Sequence, residues 1–341
     1  MEYKLVDYAN IIKLGEYNIY IITDDIIELE VDDPIVYDIL IELKKGCTEN
    51  KLLKYISKNE LVEFLNILIE NNLLMNNYKN MYIDKLEEKQ VYYFDKFNDD
   101  SNKIQEKLCG SKVAILGVGG VGSVVIQHLV ASGVKEFILI DNDIVQRNNF
   151  NRQLIYNTLD IGQLKVECAK KYILSIDSSI KVTTINIMIT DTTKLSFLKE
   201  LKPDILVNAA DRPKDINNIV NEFCLQNSLP WIGATVGVNR GTWGPLFIPN
   251  KTICFNCLEK YNKSIMSDVE RLIHDKCDFI TNASSGVTNT IVSTFLVQEI
   301  INFLIGKNGK EHIQYEINFD NFIINKHIYD RDLTCNCLLG K

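Results

Sequence analysis

The residues with the clearest capacity for chemistry begin at a glycine run. Gly117, Gly119, Gly120 and Gly122 follow the apolar segment Val113-Ala114-Ile115-Leu116. A second apolar segment, Phe137-Ile138-Leu139-Ile140, ends on Asp141-Asn142-Asp143. Glycines permit a tight turn and let backbone N–H groups approach a phosphate, and a following helix points its positive end at the same charge. Asp141 stands at the chain distance at which a ribose-binding acid follows such a turn. The pattern binds a nucleotide, and from this stretch alone NAD and ATP are both admissible.

Charges farther along decide between them. Asn149-Phe150-Asn151-Arg152-Gln153 sets a guanidinium soon after the Asp141, Asp143 pair. Gly162-Gln163-Leu164-Lys165 sets a lysine at a helix start, where its cation adds to the helix-end field. Asn208-Ala209-Ala210-Asp211 sets a carboxylate just past an apolar strand, which is where ligands sit in an open α/β sheet. Singly, Arg152 or Lys165 reads as a surface ion pair and Asp211 as a helix N-cap. Together and in this order they suit a triphosphate, with Arg152 and Lys165 neutralising phosphate oxygens and Asp211 holding Mg2+. A hydride carrier needs none of the three, which disfavours a dehydrogenase.

Eight of the nine cysteines fall into two groups. Cys47, Cys109, Cys168 and Cys224 are scattered and read as small apolar fillers. Cys254-Phe255-Asn256-Cys257 and Cys335-Asn336-Cys337 are paired, and a Cys-x-x-Cys with a distant second pair favours a structural Zn2+ held by four thiolates. Cys277 stands apart, beside Lys276, whose charge lowers a thiol pKa modestly.

These residues need an α/β frame to bring them together. Strand-like runs at 113–116, 137–140, 181–185, 205–208 and 231–234 alternate with helical segments such as 165–174 and 216–226. That alternation predicts a Rossmann-like, mostly parallel sheet with helices on both faces. A helix is expected over 287–305, with Val287, Ile291, Phe295 and Leu296 on one face, followed by strands at 313–317 and 322–328. Ahead of this domain, 17–22 and 26–31 read as strands joined at Asp24-Asp25, with three small helices after them. We divide the chain into a winged-helix-like domain at 1–85 and a nucleotide domain at 86–341, with 81–108 read as a linker plus one short helix.

Composition fits this division and narrows the partners. The chain has 341 residues, 46% hydrophobic and 24% charged, and a length of that order predicts about two domains. Its net charge of −8 argues against nucleic acid as the main partner, since phosphate binding needs a basic surface. No basic N-terminal region leads into an apolar core, and the apolar run 291–305 is read as too short and too polar to span a membrane. A cytoplasmic protein with reduced or metal-bound cysteines is expected.

The motif set as a whole resembles the adenylation site of the ThiF/MoeB superfamily, the ubiquitin-activating-like enzymes. The resemblance covers about residues 105–341, and the two cysteine pairs resemble that family's zinc site. With the N-terminal domain included, the layout is most similar to the MccB-type, peptide-adenylating branch. The N-terminal order of strands and helices resembles PqqD-like domains, which bind a leader peptide by adding it as a strand at a sheet edge.

The resemblance implies a homodimer in which ATP activates the C-terminal carboxylate of a peptide or small protein. Asp141 would bind the ribose, Arg152 and Lys165 the phosphates, Asp211 the magnesium. The glycines, Asp143, Asn149 and Gln153 would complete the nucleotide site. A carboxylate of that kind is already ionised at neutral pH, so no general base is required, in keeping with only four scattered histidines. The family's upstream arginine corresponds to Lys89, which keeps the charge but lacks the bidentate fork. Cys277 corresponds to the crossover loop, where some members carry an acyl-accepting cysteine; an incidental loop cysteine is the plainer reading. The alternatives are an activator of a ubiquitin-like sulfur carrier and a non-catalytic leader-peptide-binding partner.

Overall fold

The computed structural model describes residues 2–97, 99–276, 283–307, 312–330 and 335. The backbone divides into two compact units, one ending at Lys107 and the other starting at Leu108.

The first unit opens with β1 (Glu2–Leu5), β2 (Asn10–Leu14), β3 (Asn18–Ile22) and β4 (Ile26–Glu30). It continues through α1 (Ile35–Lys45), β5 (Cys47–Thr48), α2 (Glu49–Leu52), α3 (Lys58–Glu70) and β6 (Leu74–Asn76). Strands β2, β3 and β4 form an antiparallel meander, and β1 lies between β5 and β6 in a second small sheet. The two expected strands are β3 and β4. Helix α3 starts at Lys58 because Ser57 and Glu60 exchange side-chain to backbone hydrogen bonds, a capping box. Ile39, Leu40 and Leu43 of α1 and Leu61, Leu65 and Leu68 of α3 share one core with Leu5, Ile19 and Ile21.

The segment expected to be a linker plus one short helix is more structured than that. Two helices form there, α4 (Glu88–Phe94) and α5 (Ser101–Cys109). Tyr78 donates to Asp95 at 2.7 Å, Asn80 to the Glu88 carbonyl at 3.2 Å, and Asn102 to the Lys79 carbonyl at 3.0 Å. Lys89 is on α4 with its side chain 88% exposed and paired to Glu88 at 3.1 Å.

The second unit contains the predicted alternation. It runs β7 (Lys112–Leu116), α6 (Gly120–Ala131), β8 (Glu136–Ile140), α7 (Lys165–Ile176), β9 (Lys181–Ile185), α8 (Leu198–Leu201), β10 (Ile205–Asn208) and α9 (Ile216–Gln226). Next come β11 (Trp231–Val236), β12 (Arg240–Trp243), α10 (Phe255–Ile265), α11 (Asp268–Lys276), α12 (Gly286–Ile305), β13 (Ile313–Asn318) and β14 (Ile324–Ile328). The sheet order is β14-β13-β12-β11-β10-β7-β8-β9, parallel from β11 to β9 and antiparallel beyond β11. From β7 the chain winds outward to β8 and β9, then returns to β10 on the other flank. That reversal opens a crevice at the carboxyl ends of β7 and β10, where such sheets bind ligands.

Helix α12 departs from expectation in two respects. Its buried face is Val292, Leu296, Ile300 and Leu304, whereas Val287 is 69% exposed. At 20 residues it is, by length and composition, long and apolar enough to cross a membrane. Here it lies against α6, β11 and β12 as a core helix.

Candidate active site

A cleft of about 250 Å³ occupies the crevice at the switch between β7 and β10. Its walls include Gly117 and Gly119 from the turn, Asp141 and Asp143 from the tip of β8, Lys165 from the start of α7, and Asp211 beyond β10. Residues separated by as much as 96 positions of chain, from Leu116 to Arg212, thus line one space.

Each glycine is needed for a different reason. Gly117 has a φ of 88°, and a Cβ there would lie 2.7 Å from the Ala210 nitrogen. A Cβ on Gly122 would lie 2.0 Å from the Gly117 carbonyl oxygen, so the helix can seat this close to the turn only without a side chain. At Gly119 the nearest atom to a built Cβ is Gln153 Nε2, 3.9 Å away. Its missing side chain leaves room for a ligand rather than for the protein.

The turn is clamped from both sides. The Val118 N–H donates to Asp141 Oδ2 at 2.7 Å, and the Val118 carbonyl accepts from the Tyr156 hydroxyl at 2.8 Å. Burial pushes the Tyr156 phenol well above its ordinary range, so it stays a neutral donor. Asp141 Oδ1 accepts the Asp143 N–H at 2.8 Å, which stiffens the acid pair. Lys165, 7% exposed, extends its ammonium to Asp143 Oδ2 at 2.9 Å.

The Asn149-to-Gln153 segment contributes unevenly. Asn149 is buried, with its carboxamide committed to the Gln146 N–H at 2.9 Å and to Asn148 at 3.2 Å, so it shapes the loop. Arg152 stands beside Gly120, its Cδ 3.5 Å from where a Gly120 Cβ would lie, and donates to the Asn148 carbonyl and Asn151 Oδ1 at 2.9 Å each. It flanks the start of α6 and is set to one side of the cleft wall. Gln153 is 2% exposed, and its Oε1 has no hydrogen-bond partner among the described residues. An orphaned buried acceptor beside Gly119 is a polar group that a ligand can satisfy.

Sequence reasoning missed several contributors. Asn142, Ile187, Met188, Ile189 and Arg212 line the cleft. Asn289, from the first turn of α12, is buried against Gly120. The apolar run after β9 was the one available signal for the isoleucines. Tyr156 and Asn289 have no local signature.

A second cluster lies at the other end of the chain. The sulfurs of Cys254, Cys257 and Cys335 lie within 4.8 Å of one another, and Cys254 and Cys335 are 3.8 Å apart. That is too far for a disulfide and matches the edge of about 3.8 Å expected when thiolates sit about 2.3 Å from a tetrahedral Zn2+. Burial and the adjoining sulfurs push the Cys257 thiol upward, the disfavoured crowding that a cation relieves. The donor set fits zinc. Cys337 and Cys277 lie outside the described residues.

Comparison with known proteins identifies the family. The ThiF family model matches residues 87–337. A crystal structure of E. coli MccB with ATP aligns with a TM-score of 0.81 at 26% identity over 99% of each chain. One of E. coli MccB with succinimide gives 0.84 at 25% identity over 100% of each chain. The molybdopterin-synthase adenylyltransferase of Escherichia coli K12 is 27% identical over 167 residues, 49% of this chain and 66% of its own. Ubiquitin-like modifier-activating enzyme 5 of Caenorhabditis elegans is 30% identical over 220 residues, 62% of this chain and 51% of its own. This chain therefore spans about half the length of such activating-enzyme relatives. Since the family match takes in the whole eight-stranded sheet and both cysteine pairs, the chain belongs to the ThiF family.

Proposed function

We propose that this chain is an adenylyltransferase that uses ATP and Mg2+ to activate the C-terminal carboxylate of a peptide or small protein. The observation that carries the reading is Lys165, a nearly buried cation held by Asp143 in a wall shared with the glycine turn and Asp211. The turn and the N-terminal end of α6 receive phosphate oxygens, with Lys165 and Arg152 as the neutralising cations. Asp141 takes the ribose hydroxyls, and the Gln153 carboxamide faces the same turn. Asp211 offers the hard oxygen that Mg2+ prefers, and that ion, when bound, supplies charge neutralisation on the phosphates.

The substrate carboxylate is ionised at neutral pH and needs no base. Its oxygen forms a bond to the α-phosphorus as the bond to the β-phosphate oxygen breaks, giving an acyl adenylate and pyrophosphate. Positioning and electrostatics supply the catalysis.

Support for a peptide substrate comes from the extent of the structural likeness. Solved structures of E. coli MccB include complexes with ATP and with MccA, and the likeness to the MccA complex covers 99% of this chain at 25% identity. It takes in the residues ahead of position 87, which lie outside the family match. We assign residues 1–85 to docking the substrate as an added strand, within a homodimer working in the cytoplasm on ribosomal peptide natural-product biosynthesis. Residues 86–341 carry adenylation and a Zn2+ bound by Cys254, Cys257, Cys335 and Cys337. A second reading, activation of a sulfur carrier, draws on the names of the curated relatives.

Peptide-dependent exchange of labelled pyrophosphate into ATP tests the proposal. Asp211→Ala is expected to lower that exchange about 10²-fold or more. Undiminished exchange in that variant would remove Asp211 from the magnesium site. Exchange driven by a carrier protein and by no peptide would select the second reading.

A further inference from the structure

Among the described residues, the charged side chains in the wall of the nucleotide cleft are Asp141, Asp143, Lys165, Asp211 and Arg212. Acids outnumber cations there, although the ligand is itself an anion. The two cations also differ in what they already hold. Lys165 gives its ammonium to Asp143 Oδ2 at 2.9 Å. Arg212 is exposed, and among the described residues its guanidinium has no hydrogen-bond or ion-pair partner. The arginine that the sequence pattern singles out is placed differently. Arg152 stands outside this wall, with Nη1 already donating to the Asn148 carbonyl and to Asn151 Oδ1.

The backbone that carries Arg212 is fixed at both ends. The Ala209 N–H donates to the Leu116 carbonyl at 2.8 Å, and the Ala210 N–H to Asn208 Oδ1 at 3.2 Å. Asn208 is buried and donates through Nδ2 to Asn217 Oδ1 at 2.7 Å, which ties the end of β10 to α9. Beyond the loop, the Pro213 carbonyl accepts the Ile216 N–H at 2.9 Å. The base of the loop is thus held while the Arg212 head is left uncommitted. Its neighbour in the chain is Asp211, about 3.8 Å away between Cα atoms. Phosphate oxygens that meet an ion on Asp211 therefore come within reach of this guanidinium.

We infer that Arg212 is a phosphate-binding residue, the second cation of the wall beside Lys165. This rests on the nucleotide assignment of the cleft made above. Its planar fork can take two oxygens of one phosphate, which an ammonium cannot do. Lys165 shares its charge with Asp143, so a triphosphate in the cleft draws on Arg212 for the neutralisation that Lys165 supplies only in part.

Calorimetry on the full chain, with ATP and Mg2+ in one series and adenosine in another, tests this. Arg212→Ala is expected to weaken ATP about tenfold or more and to leave adenosine unchanged. Arg212→Lys keeps the charge without the fork and is expected to recover ATP affinity only in part. The thermal midpoint without ligand is expected to hold in both, since the side chain supports no other group among the described residues. ATP affinity unchanged in Arg212→Ala overturns the inference, and leaves adenylation standing if peptide-driven pyrophosphate exchange persists. A loss shared equally by ATP and adenosine also overturns it, because Arg212 would then support the cleft and not the phosphates. A wild type that binds ATP yet exchanges pyrophosphate with no peptide or carrier protein overturns the adenylation reading instead, and the contrast between ATP and adenosine still decides on Arg212.

Discussion

Lys165 separates stability from function within one side chain. Its partner Asp143 is 66% exposed, so losing the ammonium leaves a carboxylate that water can solvate. A pair with one partner this exposed is screened by water and contributes about 0–1 kcal/mol. A cation aimed at developing phosphate charge is worth far more to the transition state. Lys165→Met is therefore expected to cut pyrophosphate exchange about 10²-fold while changing unfolding free energy by about 1 kcal/mol or less. Exchange kinetics and urea denaturation on the same preparation read the two quantities. A variant that loses both together would make Lys165 a structural residue. Arg152 invites no such clean separation, because its guanidinium also holds the Asn148 carbonyl and so shapes the loop.

At the scale of elements, the helices after the first sheet hang on one buried acid. Asp95 is fully buried and accepts from the Tyr78 and Ser101 hydroxyls at 2.7 Å each, while its Oδ2 has no partner among the described residues. Burial pushes its carboxyl above the ordinary range, against the lowering pull of those two hydroxyls. The unfolded chain ionises this acid near about pH 3.9, below the folded value. Between the two values the unfolded state binds fewer protons, so this group's contribution falls as pH rises. Asp95→Asn keeps the acceptor and removes the charge. It is expected to be more stable than the parent at neutral pH, with the difference closing as pH falls toward about 4. Thermal denaturation at both ends of that window decides it, and a difference independent of pH would rule this account out.

The same scale explains what could be read from the chain. The turn from Gly117 to Gly122, the acid at Asp141 and the lysine at Lys165 are local patterns, and their elements form where expected. Strands β1, β5 and β6 are two to four residues long and pair across distant segments, as Tyr3 does with Cys47 and Asn76, so no alternation announces them. In α12 the buried stripe was misplaced because apolar residues surround much of the helix, leaving periodicity with little to choose between. Tyr156 and Asn289 reach the site through packing between remote elements, which spacing along the chain does not encode.

For the whole molecule, the sulfur cluster joins positions far apart. Cys254 sits at the N-cap of α10, and Cys335 follows 81 residues later. A cross-link closing a loop of that length stabilises by about 4–5 kcal/mol on the chain-entropy scale derived for disulfides. Metal analysis is expected to find one zinc per chain. Stripping it with a chelator is expected to lower the thermal midpoint, with recovery on adding zinc back. An unchanged midpoint in demonstrably zinc-free protein would show that the sulfurs hold nothing together.

The spacing of those cysteines also sets an order of events during synthesis. A ribosome adding about 5–20 residues per second delivers Cys335 about 4–16 s after Cys254. For most of that interval the nascent chain has α10 but lacks Cys335. The stack of Trp231 on Phe247 at 4.3 Å, with Phe255 against both, must hold the start of α10 to the sheet meanwhile. These rings are therefore a scaffold for assembly, and weakening them is expected to lower the yield of folded chain more than the stability of chains already complete.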